Sequence, residues 1–262
     1  MEKKMFVTDK RGFLLAFLTC FTLSMSVSCG GVSGKGEVET PNVSVIVGID
    51  ISEYQGQIEW ERLAIAKEVV DSCVSVEDRV GLTETLPVRF AIVRATKSSG
   101  YVDKLFERNY KAARQQGICV GAYHFLTDSV SGKLQAENYI NVVKLEKDDL
   151  PPVLDVEVFS PQVIDIAKEW LSVVEEHYGR QAIVYSNQSG YNDIIMKDSV
   201  LKSRDLWLAQ LISEKPSMEN CKFWQLSHKG QVIGIRDCNV DINLFLGDNA
   251  KFEKYAKGED HK

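Results

Sequence analysis

Between Leu150 and Val158 the chain reads LPPVLDVEV, and no other stretch limits its architecture as strongly. The apolar residues behind two prolines describe a short buried strand, because proline is tolerated at a strand's entrance but not at its centre. Side chains alternate across a strand, so Asp155 and Glu157 point to the same face. A buried carboxylate is costly unless something offsets it. Two carboxylates in an apolar setting repel, so one is expected to keep its proton near neutral pH while the other ionises. That is an acid and a base on one strand. The competing reading is structural, with strand-end acids paired to basic groups, which also shift carboxylate pKa values.

Seven more strand-like runs accompany this one, at 43–51, 90–95, 118–125, 182–186, 206–211, 223–226 and 240–245, with the central run extending over 153–158. Helical spacing falls between several of them. Leu105, Phe106, Tyr110 and Ala113 recur ahead of Gly117, and Val163, Ile166, Trp170 and Val174 ahead of Gly179. Alternating strands and helices at this pitch predict an α/β fold with a largely parallel sheet and right-handed crossovers. Eight strands within 262 residues point to one closed, TIM-like β/α barrel. The interval 223–245 has no room for a helix, so the last strands are expected to form a hairpin and make the barrel irregular. The polar, aperiodic segment 71–87 reads as an insertion loop.

The N-terminus differs in kind. Lys3, Lys4, Lys10 and Arg11 precede an apolar stretch, 12–27, that ends in small residues and Cys29, the layout of a secretory signal. Ser26-Val27-Ser28-Cys29-Gly30 is similar to a relaxed bacterial lipobox, with Cys29 as the lipidation site. Ordinary signal cleavage or an uncleaved anchor are the alternatives. The expected organisation is a signal peptide over 1–29, a flexible tether over 30–42, the barrel over 43–255 and a polar tail over 256–262. Export would leave Cys73, Cys119, Cys221 and Cys238, which allow three full pairings. Cys221 and Cys238 flank the expected hairpin and are the preferred disulfide, with Cys119 a buried thiol. A net charge of −6 argues against nucleic acid as a partner, and neither CxxC nor a His-rich cluster suggests a metal or other cofactor.

In β/α barrels, reactive groups gather where strands finish. By that rule the candidates are Asp50, Tyr123 and His124, Asp155 and Glu157, Tyr185 and Asn187, Trp207, Gln225 and Asp241. Four carboxylates and several aromatics on one face suit a carbohydrate cleft, where rings stack on sugars and acids cleave the glycosidic bond. A metal site could also use acids, although no matching His pair is present. His124 alone reads as a hydrogen-bonded structural residue.

Here the chain resembles a known family. Gly48-Ile49-Asp50-Ile51-Ser52, Gln55-Gly56 and Ile58-Glu59-Trp60 are similar to the opening signature of the glycoside hydrolase family 25 lysozymes. The pattern continues through Phe90 to Thr96, Tyr101-Val102-Asp103, Gly121 to Phe125, Leu150 to Glu157, Tyr185-Ser186-Asn187, Leu206 to Ala209, Trp224-Gln225 and Val240 to Asn243. The resemblance implies an irregular β/α barrel and an N-acetylmuramidase that cuts the β-1,4 bond between N-acetylmuramic acid and N-acetylglucosamine. By motif, Glu157 is the general acid, Asp155 its partner, and Asp50 and Asp241 complete the acidic floor. Tyr123, Tyr185, Trp207 and Gln225 would line sugar subsites. The expected partners are peptidoglycan strands and, through lipid, a membrane, for a monomer in a bacterial envelope, on the outer membrane if Gram-negative.

Carboxylates two residues apart on one strand are poorly placed to flank a bond from opposite sides. A substrate-assisted route fits better, in which the substrate's acetamido oxygen attacks, Asp155 orients that group and Glu157 protonates the leaving oxygen. Direct displacement with Asp50 or Asp241 positioning water stays open. One departure stands out: the family pattern has Thr-Glu-Gly where this chain has Thr96-Lys97-Ser98, a reversal of charge near the cleft rim. That leaves a second class of function, a catalytically weak or inactive glycan-binding lipoprotein. A third reading is hydrolysis of a chitin-like polymer.

Overall fold

In the computed structural model, which describes residues 45–71, 73, 82–211 and 214–259, eight strands close into a barrel. They are β1 (Ile46–Ile51), β2 (Phe90–Lys97), β3 (Cys119–Phe125), β4 (Val153–Asp155), β5 (Ile183–Asn187), β6 (Leu206–Ala209), β7 (Cys221–Gly230) and β8 (Val240–Phe245). β1 through β7 pair in parallel, with β1 beside β2. β8 runs antiparallel between β7 and β1, which closes the barrel and makes the expected hairpin. The helices α1 (Phe106–Gln115), α2 (Gly132–Val142) and α3 (Val163–Tyr178) lie among the crossovers, and α4 (Asn249–Ala256) follows β8.

Strand periodicity sorts the residues into two apolar layers. Val47, Ile49 and Ile51 of β1, Ala91 and Val93 of β2 and Leu154 of β4 face the helices, in one core with Trp170, Leu171 and Val174 of α3. Ile46, Phe90, Ile92, Val153, Ile183, Trp207, Phe223 and Phe245 fill the barrel, and α4 plugs its lower end with Phe252 and Tyr255. Gly48 belongs to the inner set, and a Cβ there would lie 2.4 Å from the Phe90 ring. The glycine of the opening motif therefore makes room for a floor aromatic.

β2 contains a register shift against β3 between Arg94 and Thr96. Before it, Phe90, Ile92 and Arg94 take inner positions. After it, Thr96 pairs with His124 on the helix side and Lys97 pairs with Phe125. An extra residue in a strand resets the alternation, so the irregularity turns Lys97 toward the barrel mouth.

Three expectations need correction. The segment 71–87 is not all loop: Thr85–Pro87 pairs with Ala64–Ala66, which pairs with Val232–Ile233, in a small side sheet that buries Ile65 and Leu86. Residues 72 and 74–81 lie outside the described residues, as do the signal-like segment, Cys29 and the tether. The strand expected over 153–158 ends at Asp155. Cys221 and Cys238 are not bonded. Cys221 begins β7 beside Leu206, whereas Cys238 precedes Val240, which pairs with Gly230 at the other end of β7. The hairpin's length separates the two thiols.

Candidate active site

All four acids that the sequence singled out stand at the same end of the barrel. Asp50 follows Ile46 and Gly48 on the inner side of β1, Asp155 follows Val153 on β4, and Asp241 precedes Asn243 on β8. Asp50 and Asp241 are register partners across the antiparallel β1–β8 pair. Like charges in that position repel. They are relieved by a hydrogen bond between the two carboxyls, and burial together with the Asp241 charge pushes Asp50 well above the usual carboxylate range. Both carboxyls are held above the ordinary carboxylate range, by burial first of all.

Two amide side chains hold Asp50 in place. Its Oδ2 accepts from Gln225 Nε2 at 2.9 Å and from Asn243 Nδ2 at 2.8 Å. Each amide is fixed in turn by an aromatic donor: Tyr185 OH donates to Gln225 Oε1 at 3.0 Å, and Trp207 Nε1 to Asn243 Oδ1 at 2.8 Å. The two rings pack with centroids 4.5 Å apart. Every polar atom named in this relay has a stated partner, which is what a buried polar network needs to be rigid. Trp207 and Gln225 are thus buried supports of the acidic floor, and burial keeps Tyr123 and Tyr185 protonated by raising both hydroxyls far above their usual value.

Asp155 sits differently. It is buried, and its Oδ1 has no hydrogen-bond partner. Burial raises its pKa well above the ordinary range, the charges of Glu157 and Asp50 add to this, and Arg94 and Lys97 oppose it. Glu157 lies just past the strand end and is partly exposed. Burial also raises its pKa, opposed by a hydrogen bond with Asn187. Burial is the leading cause of the upward shift in both carboxyls. Asn187 caps the helix Gln188–Asp193 by accepting from the Gly190 N–H at 2.9 Å, which anchors Glu157's partner.

Arg94 stands between these acids and an outer ring of aromatics. Its guanidinium bonds Asp103 at 3.0 Å, lies 3.8 Å from Glu53 and rests on the rings of Tyr54 and Tyr101 at 5.1 and 5.5 Å. Tyr54 and Phe159 are exposed at the rim. His124 takes no part: it lies buried on the helix side, bonded to Thr96 Oγ1 at 2.8 Å and Gln135 Oε1 at 3.1 Å, and burial lowers it to about 4.

Asn243, Arg94 and the rim aromatics were not among the sequence candidates. For Asn243 the signal existed, since it lies two residues from Asp241 and so on the same strand face. For Arg94 it lay in the inner phase shared with Phe90 and Ile92. Tyr54 sits in the single 3-10 turn Glu53–Gln55 and Phe159 on a loop, and neither is long enough to show a period.

Comparison with known proteins places this geometry. The family model described as glycosyl hydrolases family 25 matches residues 49–235. Lysozyme M1 of Streptomyces globisporus is 27% identical over 229 residues, covering 80% of this chain and 71% of that protein. The uncharacterized protein YegX of Escherichia coli K12 is 29% identical over 227 residues, covering 84% and 77%. Among solved structures, a family 25 glycosyl hydrolase from Bacillus anthracis aligns with a TM-score of 0.63 at 28% identity, over 81% of this chain and 94% of that one. The bacterial lysozyme of Streptomyces coelicolor aligns with a TM-score of 0.67 at 25% identity, over 82% and 99%. With its closed eight-stranded barrel and its strand-end acids, the chain belongs to the glycosyl hydrolases of family 25.

Proposed function

We propose that the protein is an exported N-acetylmuramidase, tethered to a bacterial envelope through lipid on Cys29, that cuts the β-1,4 bond between N-acetylmuramic acid and N-acetylglucosamine in peptidoglycan. The observation that carries this reading is the contrast between the two carboxyl pairs. Asp50 is saturated with donors, whereas Asp155 Oδ1 is a buried acceptor with none. An unfilled buried acceptor costs free energy that a ligand donor can return.

The substrate's acetamido N–H is such a donor. In this reading it bonds Asp155 as the acetamido oxygen attacks the anomeric carbon, forming a C–O bond while the glycosidic C–O bond breaks. Glu157, whose pKa burial raises, gives its proton to the leaving oxygen and then takes one from the incoming water. Asp155 stabilises the positive charge that develops on the cyclised group. Asp50 and Asp241 shape the floor beneath the sugar, with Tyr123 and Tyr185 as neutral hydroxyls beside it. The names of two relatives, lysozyme M1 and the autolytic lysozyme of Clostridium acetobutylicum, support the substrate class.

Release of reducing muramic acid ends from purified peptidoglycan, measured beside the Glu157→Gln variant, tests the reading. Removal of a general acid is expected to lower the rate by about 10²- to 10⁴-fold. No release by the folded native chain from several wall types would favour a glycan-binding lipoprotein instead. Inversion at the anomeric carbon, read by NMR of the first product, would exclude the acetamido route.

A further inference from the structure

The β2 irregularity gives a geometric cause for the place near the cleft rim that the family resemblance implied for Lys97. Unbroken alternation from Phe90, Ile92 and Arg94 would send Lys97 toward the helices. The shift between Arg94 and Thr96 instead puts it in the row of Phe125, Asp155 and Tyr185, which are successive register partners across β3, β4 and β5. The side chain is exposed, with Nζ 4.6 Å from the centre of the Phe125 ring. A lysine over an aromatic face is oriented by the ring quadrupole. The backbone beneath is fixed as well: Ser98 is in the left-handed region at φ 52°, its N–H donates to Phe125 O at 3.3 Å, and its carbonyl accepts from Asn138 Nδ2 at 2.9 Å.

Two cations bear on Asp155, and they differ in what else they hold. Arg94 is committed to Asp103 and Glu53. Lys97 forms no ion pair among the described residues. A cation at the mouth of a sugar cleft, oriented by a ring and in no ion pair among the described residues, is a receptor for an anionic group on the incoming glycan. In peptidoglycan the anionic group is a carboxylate. It is either the lactyl carboxylate of muramic acid, free in strands stripped of peptide, or a carboxylate of the stem peptide.

We propose that Lys97 is a specificity-determining residue that binds a carboxylate carried on the lactyl arm of the substrate, so that the protein prefers anionic muramoyl strands over neutral ones. The proposal rests on the muramidase reading above and deepens it.

Three strand preparations of matched length separate the possibilities: peptide-bearing, stripped with the lactyl carboxylate free, and stripped with that carboxylate converted to a methyl amide. For the full chain, KM on a carboxylate-bearing strand is expected to be about three- to tenfold below KM on the amide, the range of one partly solvated ion pair. In Lys97→Gln this ratio falls to about one, and in Lys97→Glu it inverts. A preference on stripped strands names the lactyl carboxylate, and a preference confined to peptide-bearing strands names the stem. A ratio unchanged by Lys97→Gln overturns the proposal. If the native chain cleaves none of the three, the muramidase reading fails, and co-sedimentation of the same strands with both proteins still decides the role of Lys97. Binding that depends on the carboxylate and is lost in Lys97→Gln supports it, and equal or absent binding overturns it.

Discussion

At the floor of the barrel the inner positions of β1, β2, β7 and β8 carry Ile46, Phe90, Phe223 and Phe245. Further toward the mouth, the same strands carry Asp50, Arg94, Gln225 and Asp241. The floor rings meet edge to face at 5.2 to 5.3 Å, and Phe252 and Tyr255 of α4 close the layer from below. Each fully buried phenylalanine contributes about 1.5–3 kcal/mol. The mouth spends part of that stability by holding carboxyls away from water. Folding and chemistry are thus separated along the barrel axis, and the two ends should respond to substitution with opposite signs.

Phe223→Ala should have the largest effect on stability. The side chain is fully buried and touches the rings of Phe90, Phe245 and Tyr255. Truncation is expected to cost about 3–5 kcal/mol, read as a lowered urea midpoint. A loss below about 1 kcal/mol would mean that the floor does not carry the mouth.

Asp155→Asn should act in the other direction, stabilising the fold by about 1–2 kcal/mol at pH 7 while removing activity. Burial holds Asp155, Asp50, Glu157 and Asp241 all above their ordinary pKa values. An acid raised in the folded state adds stability below its unfolded pKa, near 4, and loses it as pH rises through the folded value. His124 works the opposite way. Held at about 4 against an ordinary 6.5, it stays neutral while the unfolded chain takes up a proton, so acidification through that window costs stability. The difference between Asp155→Asn and the native chain largely cancels the His124 contribution. It should be widest at neutral pH and shrink toward zero near pH 4, and a difference that grew on acidification would contradict the upward shift of Asp155.

Much of this division was legible in the chain. The period of two in LPPVLDVEV put Asp155 and Glu157 on one face, and all eight barrel strands were found to within a few residues. His124, read as a hydrogen-bonded structural residue, is buried on the helix side and bonded to Thr96 and Gln135. Hidden were features that depend on partners far away in the chain. Thr85–Pro87 looks polar and aperiodic because a three-residue strand is too short to show alternation, and its pairing with Ala64–Ala66 sets it. The β2 irregularity arises from register against β3, so the period of residues 90–97 alone sends Lys97 toward the helices, and only the family resemblance put it near the cleft rim. The roles of Gln225 and Asn243 as clamps on Asp50 follow from barrel closure, which brings β1 and β7 onto either side of β8.

The cysteines give the smallest test of the same axis, because each end of the β7–β8 hairpin carries one. Cys221 is buried at the start of β7, its Sγ bonding Phe223 O at 3.3 Å, and burial pushes its thiol up to about 12. Cys238 lies partly exposed toward the mouth. A crosslink between them would tie floor to mouth and add about 2–4 kcal/mol. The hairpin's register forbids it, since a disulfide needs Cα atoms within about 7 Å and these residues are offset along most of β7. Cys238→Ser should therefore change stability by no more than about 0.5 kcal/mol, with the same melting temperature in reducing and non-reducing buffer. A reducing-agent effect of several degrees, abolished by that substitution, would mean that Cys238 pairs with another thiol and that the mouth is braced covalently as well as by burial at the floor.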